Sequence, residues 1–135
     1  MTEKESKLKV IIAEDYSGTR ELYKNILKGE KFELKLVGNG KELYKEVSQN
    51  KDKYNVIISD TEMPNGYGNE VCSRLIKEGY KRIIVGVSGI TTNKDLWKGI
   101  ANAFMDKAFT YRFLHDLDLD NLEERVKDMK NKEEK

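Results

Sequence analysis

Several things are scarce in this chain, and each shortage narrows what it can be. Its single cysteine, Cys72, cannot form an internal disulfide. Its single proline, Pro64, falls in a turn sequence, Pro64-Asn65-Gly66. No signal peptide is visible, and no run approaches the roughly 18 apolar residues of a membrane span. Neither sign of charge dominates: 25 basic residues against 24 acidic leave a formal net charge of +1. Overall charge therefore indicates neither nucleic acid nor an anionic membrane as partner. No linker or internal repeat divides the 135 residues, a length that suits one ordinary domain with its own core. These absences lead to the expectation of a soluble, cytoplasmic, single domain over residues 1–135, with its core at about 8–130. Any partner must be recognised locally.

What is abundant is charge, at 36% of residues. The apolar residues are nevertheless grouped into short strands and helix stripes, which argues against disorder and assigns the charge to solvated helix faces.

The strongest pattern is Val56-Ile57-Ile58-Ser59-Asp60, an apolar, β-branched run that ends in an acid and is stopped by the turn residues after it. It predicts a strand covered on both faces that delivers a carboxylate to a loop. Similar runs predict strands at 8–13, 32–37, 83–87 and 103–106, the first ending in Glu14-Asp15. Between them, helices are expected at 18–28 with Ser17 as cap and Leu22 and Ile26 inward, and at about 40–50 behind an Asn39-to-Glu42 capping box, with Leu43 and Val47 inward. Further helices are expected at 68–77 with Val71 and Leu75 inward, and from Thr92 or Asn93 to Ala101 with Leu96 and Ile100 inward. The last starts near Leu119 behind Asp118 or Asp120, its stripe being Leu119, Leu122, Val126 and Met129. Residues 1–7 and 131–135 read as loose ends.

Five alternations of strand and helix imply an α/β fold, a doubly wound parallel sheet with helices on both faces. The common five-strand solution is the flavodoxin-like order 2-1-3-4-5, and ligands of such sheets bind beyond the strands' carboxyl ends at the switch point between strands one and three. That order brings Glu14 and Asp15 beside Asp60, with Ser88 and Lys107 ending strands four and five. Crowded carboxylates repel one another and either bind protons or recruit a cation. Oxygen ligands with no His or Cys near them in sequence favour Mg²⁺ over zinc. A carboxylate can attack phosphorus to give an aspartyl phosphate, a reaction governed by positioning and charge neutralisation. Lys107 suits the point charge and Ser88 the hydroxyl donor.

The motifs Val10-Ile11-Ile12-Ala13-Glu14-Asp15, Ile57-Ile58-Ser59-Asp60-Thr61-Glu62-Met63-Pro64-Asn65-Gly66, Val85-Gly86-Val87-Ser88-Gly89 and Ala103-Phe104-Met105-Asp106-Lys107 follow one another in order. Together the set resembles the receiver domain of two-component response regulators, over residues 8–129. The resemblance implies Asp60 as phosphoacceptor, Asp15 as a direct Mg²⁺ ligand, Glu14 as a ligand through water, and the backbone carbonyl of Glu62 as another. It also implies Ser88 and Phe104 as the switch pair. Two departures stand out: Ala108 follows the lysine where the family usually has a cis-proline, and Glu14 replaces the commoner Asp. The bond before Ala108 is then either trans with a reshaped loop or strained.

The expected function is that of a stand-alone, chemotaxis-regulator-like response regulator. It would take a phosphoryl group from a histidine kinase or phosphotransfer protein and bind an unknown output protein through residues 93–129, as a monomer or weak dimer. It would not be a dedicated enzyme, though it would catalyse its own phosphorylation and dephosphorylation at Asp60. Two other readings use the same residues: a small aspartyl-phosphate phosphatase, and a receiver-like module that binds partners independently of phosphorylation. Against the phosphatase, Glu62 stands where an acid pair of the Asp-x-Asp kind needs Asp. Flavin binding lacks a Ser/Thr/Gly-rich loop after strand one. Phe104 by itself is a core-packing residue, and its switch role rests on the resemblance. His115 reads as an exposed turn residue without partners, Cys72 as a helix residue with no redox role, and Trp97 and Tyr111 as core cover or part of a partner surface.

Overall fold

Each of the five apolar runs forms a strand, and the strands hydrogen-bond side by side in the order 2-1-3-4-5. The computed structural model describes residues 7–133. Its elements are β1 (Leu8–Ala13), α1 (Ser17–Ile26), β2 (Phe32–Val37), α2 (Gly40–Gln49), β3 (Val56–Asp60), α3 (Gly68–Lys77), β4 (Ile83–Ser88), a 3-10 helix (Thr91–Trp97), β5 (Ala103–Asp106), α4 (Lys107–His115) and α5 (Leu122–Glu133). All strand pairs are parallel. Covering both faces demands the continuous apolar runs seen in the sequence, and β3 is buried along its whole length. On one face Val10, Ile12, Val56, Ile58 and Val85 pack with Tyr23, Phe113 and Val126. On the other Ile11, Ile57 and Ile84 pack with Leu43, Val47, Cys72, Leu75 and Trp97. No helix among the described residues is long and apolar enough to cross a membrane.

The first half follows its sequence closely. The Asn39 side chain accepts from the Glu42 N–H at 2.9 Å, as a capping box requires, while the Glu42 carboxylate reaches back to the Gly38 N–H at 2.7 Å. Helix α1 is the exception. Ser17 makes no cap bond, the N-cap being Tyr16, and Leu22 is 50% exposed while Tyr23 is 1% exposed. Ile26 packs partly buried against the core as expected, but Tyr23 and Leu27 are the buried pair, and Tyr23 meets the Tyr111 ring of α4 at 5.6 Å.

The second half departs further. Residues 92–101 do not make an α-helix: a 3-10 helix ends at Trp97, and Gly99 takes a left-handed φ of 76°. Trp97 rather than Leu96 points inward, because its ring fills the space above Gly86. An unexpected helix, α4, starts at Lys107 with Asp106 as its cap. Its inward positions, Thr110, Phe113, Leu114 and then Leu117, are spaced i, i+3, i+4, i+7. The first of these is a threonine, which hid the stripe. His115 is exposed but ends this helix and pairs with Asp116 at 3.1 Å, so it is neither in a loop nor alone. Helix α5 begins three residues later than expected, and it continues through residues 131–133, expected to be frayed. Of the expected loose ends, residues 1–6, 134 and 135 lie outside the described range.

Candidate functional site

Register places the acids. Ala13 pairs with Ser59, so the next residues, Glu14 and Asp60, end adjacent strands at one level. Carboxylate oxygens of Glu14, Asp15 and Asp60 lie within 4.8 Å of one another. Glu14 and Asp60 are buried, at 1% and 8% exposure, while Asp15 is exposed. Lys107 closes the group from β5: its Nζ lies 3.1 Å from Asp60 Oδ2 and 3.2 Å from Glu14 Oε1. Burial is the largest influence on both buried carboxyls and, with their mutual repulsion in the case of Glu14, holds them above their ordinary values in spite of the lysine. Burial pulls the Lys107 ammonium down, but Asp60 and Glu14 outweigh it and hold it above its ordinary value.

The backbone builds this corner tightly. Gly68 begins α3 with its N–H on the Thr61 carbonyl at 2.8 Å, and a Cβ there would come within 2.0 Å of the Asp60 carbonyl oxygen. Such an approach admits only glycine. The turn between them carries Asn65 and Gly66 at positive φ, and Gly40 abuts it, where a Cβ would meet the Gly66 carbonyl oxygen at 2.3 Å. Across the site, Tyr16 N–H donates to Glu14 Oε2 at 3.0 Å and Arg20 Nη1 donates to the Glu14 carbonyl at 2.7 Å.

The remaining site candidates stand around this group. Ser88 ends β4, buried, and its Oγ accepts from the Ile90 N–H at 3.0 Å and from Asn93 Nδ2 at 2.9 Å. Phe104 is buried in the cluster that contains Trp97, and Glu62 is exposed in the loop after β3. The bond between Lys107 and Ala108 is trans, as are all those described. The Ala108 N–H, which a proline would lack, is held by Asp106 Oδ1 at 3.0 Å and opens α4, so the reshaped connection is a helix start.

Comparison with known proteins gives this arrangement its family. The sequence profile of the response regulator receiver domain matches residues 10–117. The chain belongs to this family. Histidine kinase P4 of Formosa agariphila is 34% identical over 118 residues, covering 83% of this chain and 8% of that protein. The chain spans less than a tenth of the length of the curated relatives it matches. Among solved structures, a CheY-like receiver domain protein of Methanospirillum hungatei superposes with a TM-score of 0.73 at 20% identity, covering 94% of this chain and 99% of that one. The response regulator TrrA of Thermotoga maritima, solved in complex with Mg²⁺ and BeF, gives 0.71 at 27% identity, covering 90% and 98%.

Within this receiver domain two residues at the site escaped the sequence reading. Thr61 follows Asp60, and its N–H donates to Asp60 Oδ1 at 3.0 Å. Trp97 donates its indole N–H to Thr61 Oγ1 at 2.8 Å. Their separation of 36 positions left no local signal, although a lone tryptophan within reach of a strand glycine was one clue.

Proposed function

We propose that this receiver domain, over about residues 8–130, accepts a phosphoryl group on Asp60 from a histidine kinase or phosphotransfer protein and signals by binding an output protein. The observation that carries the reading is the Asp60 carboxylate itself, buried at a strand end, 3.1 Å from the Lys107 ammonium and within reach of two further acids. An Asp60 oxygen would attack phosphorus as the bond from phosphorus to the donor imidazole nitrogen breaks, leaving the histidine neutral, with the proton on its other ring nitrogen, and Asp60 phosphorylated as an acyl phosphate. Lys107 would offset charge on the transferred oxygens. Ser88, whose Oγ already accepts two hydrogen bonds, keeps its hydroxyl hydrogen to donate to them.

The donor set fits Mg²⁺. It offers hard carboxylate oxygens and no sulfur or imidazole, and two of its buried acids are held above their ordinary values, a state that a cation relieves. Asp15, Asp60, the Glu62 carbonyl and Glu14 through water would hold it. When bound it would supply positive charge opposite Lys107.

The output face would lie within residues 93–129, formed by the 3-10 helix, β5, α4 and α5. A groove of about 700 Å³ supports this, lined by Lys94, Phe104, Phe109, Arg112, Arg125 and Met129 among others. Phe104 reaches this groove from the core, which suits a switch residue. Acetyl phosphate with Mg²⁺ is expected to label the wild type once per chain and Asp60→Asn not at all. Stoichiometric labelling of the Asn variant would overturn the assignment.

A further inference from the structure

A planar carboxylate is a well-aimed nucleophile only if both of its oxygens are held. Lys107 holds Asp60 Oδ2, but by a long side chain that is 33% exposed. The other oxygen is held by the Thr61 N–H, so its aim depends on how firmly Thr61 is fixed. Thr61 is fully buried, and its hydroxyl is used twice: it donates to the Val87 carbonyl at 2.9 Å and accepts from the Trp97 indole N–H at 2.8 Å. Trp97 is itself immobilised. It is 2% exposed, and a Cβ on Gly86 would come within 2.4 Å of its ring. Phe104, the aromatic on β5, has no group that can hydrogen-bond.

We propose that Trp97 is a positioning residue for phosphorylation of Asp60, acting through Thr61. The proposal rests on the reading of Asp60 as the phosphoacceptor. It assigns to the 3-10 helix a hold on the acceptor through one intervening residue, at the end opposite to Asn93 and its bond to Ser88. The tryptophan supplies the donor, Thr61 relays it, and the glycine at position 86 makes room for the ring. Phosphorylation chemistry at β3 is thereby tied to the segment beyond β4 by one neutral hydrogen bond.

The test uses the full chain with acetyl phosphate and Mg²⁺. Trp97→Phe keeps a ring over Gly86 and removes the donor, and Thr61→Val removes the relay at nearly constant volume. Trp97→Phe is expected to lower the saturating rate of labelling about five-fold, the effect of one neutral hydrogen bond, and Thr61→Val, which also loses the bond to the Val87 carbonyl, at least as much. The half-saturating acetyl phosphate concentration and the Mg²⁺ affinity by calorimetry should stay unchanged. The double variant should be no slower than Thr61→Val alone, and Thr61→Ser, which restores the hydroxyl, should recover the wild-type rate. A Trp97→Phe rate equal to wild type, or losses that multiply in the double variant, overturns the proposal. If Trp97→Phe does not fold, the Thr61 pair decides: equal rates for Ser and Val overturn it. Labelling of the wild type but not of Asp60→Asn, with no effect of Trp97→Phe, defeats the positioning role alone. Absence of labelling at Asp60 in the wild type defeats both readings.

Discussion

Asp60 has two sides that are built differently. Toward α3 and α2 the chain closes by backbone contact, with Gly68 against the Asp60 carbonyl and Gly40 against Gly66. Toward β4 and β5 it closes by side-chain hydrogen bonds, from Asn93 to Ser88 and from Trp97 to Thr61. Backbone contacts have no alternative arrangement short of local unfolding. A neutral side-chain hydrogen bond contributes about 1 kcal/mol and can be exchanged for another. The proposed phosphorylation of Asp60 would draw on both, a fixed floor under the carboxylate and a flank that can change partners when its charge changes.

The largest expected effect comes from forcing that contrast with the smallest side chain. Gly68→Ala places a methyl group 2.0 Å from a backbone oxygen, so the loop must move, and the cost should be about 3 kcal/mol in urea unfolding. Gly89→Ala, just past Ser88, meets nothing within 4 Å and should change stability by less than about 0.5 kcal/mol. Equal effects at the two positions would dissolve the distinction between floor and flank.

The two sides also differ in how far the sequence disclosed them. The five strands, α2 and α3 were legible because their patterns are local: continuous apolar runs, a capping box, and glycines past helix ends. The cluster of Glu14, Asp15, Asp60 and Lys107 followed from strand ends and strand order alone, since parallel strands present their carboxyl ends at one edge. In helix α1 the expectation holds for Ile26, which packs against the core, and fails for Leu22, because Leu22 and Tyr23 are neighbours in sequence and the choice between them is made by packing against Tyr111 of a helix not yet visible. The segment after Ser88 was misread for the same reason. Leu96 and Trp97 compete to face inward, and a glycine across the fold, Gly86, decides for the larger. What remained illegible was thus fixed by contacts between distant positions.

A second, smaller effect separates the acids from their surroundings. Burial holds the Glu14 carboxyl above its ordinary value, so the folded chain binds that proton more tightly than the unfolded chain. Stability therefore falls as pH rises from the ordinary value of 4.5 through the folded one, and stays lower at neutrality. With a chelator present, Glu14→Gln should unfold at higher urea than wild type near pH 7, and the gap should close as pH approaches 4.5. A variant less stable than wild type at pH 7 would mean that the contact with Lys107 outweighs the cost of burying the charge. The same variant should bind Mg²⁺ more weakly, placing stability and function in opposition at this position.

The subtlest expected difference needs no substitution. Cys72 is fully buried in α3, and burial pushes its thiol up to about 12, so at pH 8 it ionises and meets a neutral alkylating reagent only when that wall opens. Trp97, the single tryptophan, lies in the flank at 2% exposure and reports its own opening through iodide quenching. If the flank is held by exchangeable hydrogen bonds and the floor by backbone contact, Trp97 should become quenchable at urea concentrations below the global transition. Cys72 should stay unmodified until the transition itself. Labelling of Cys72 at the same urea concentration that exposes Trp97 would mean that the sheet opens as one unit, and that the flank moves only by unfolding.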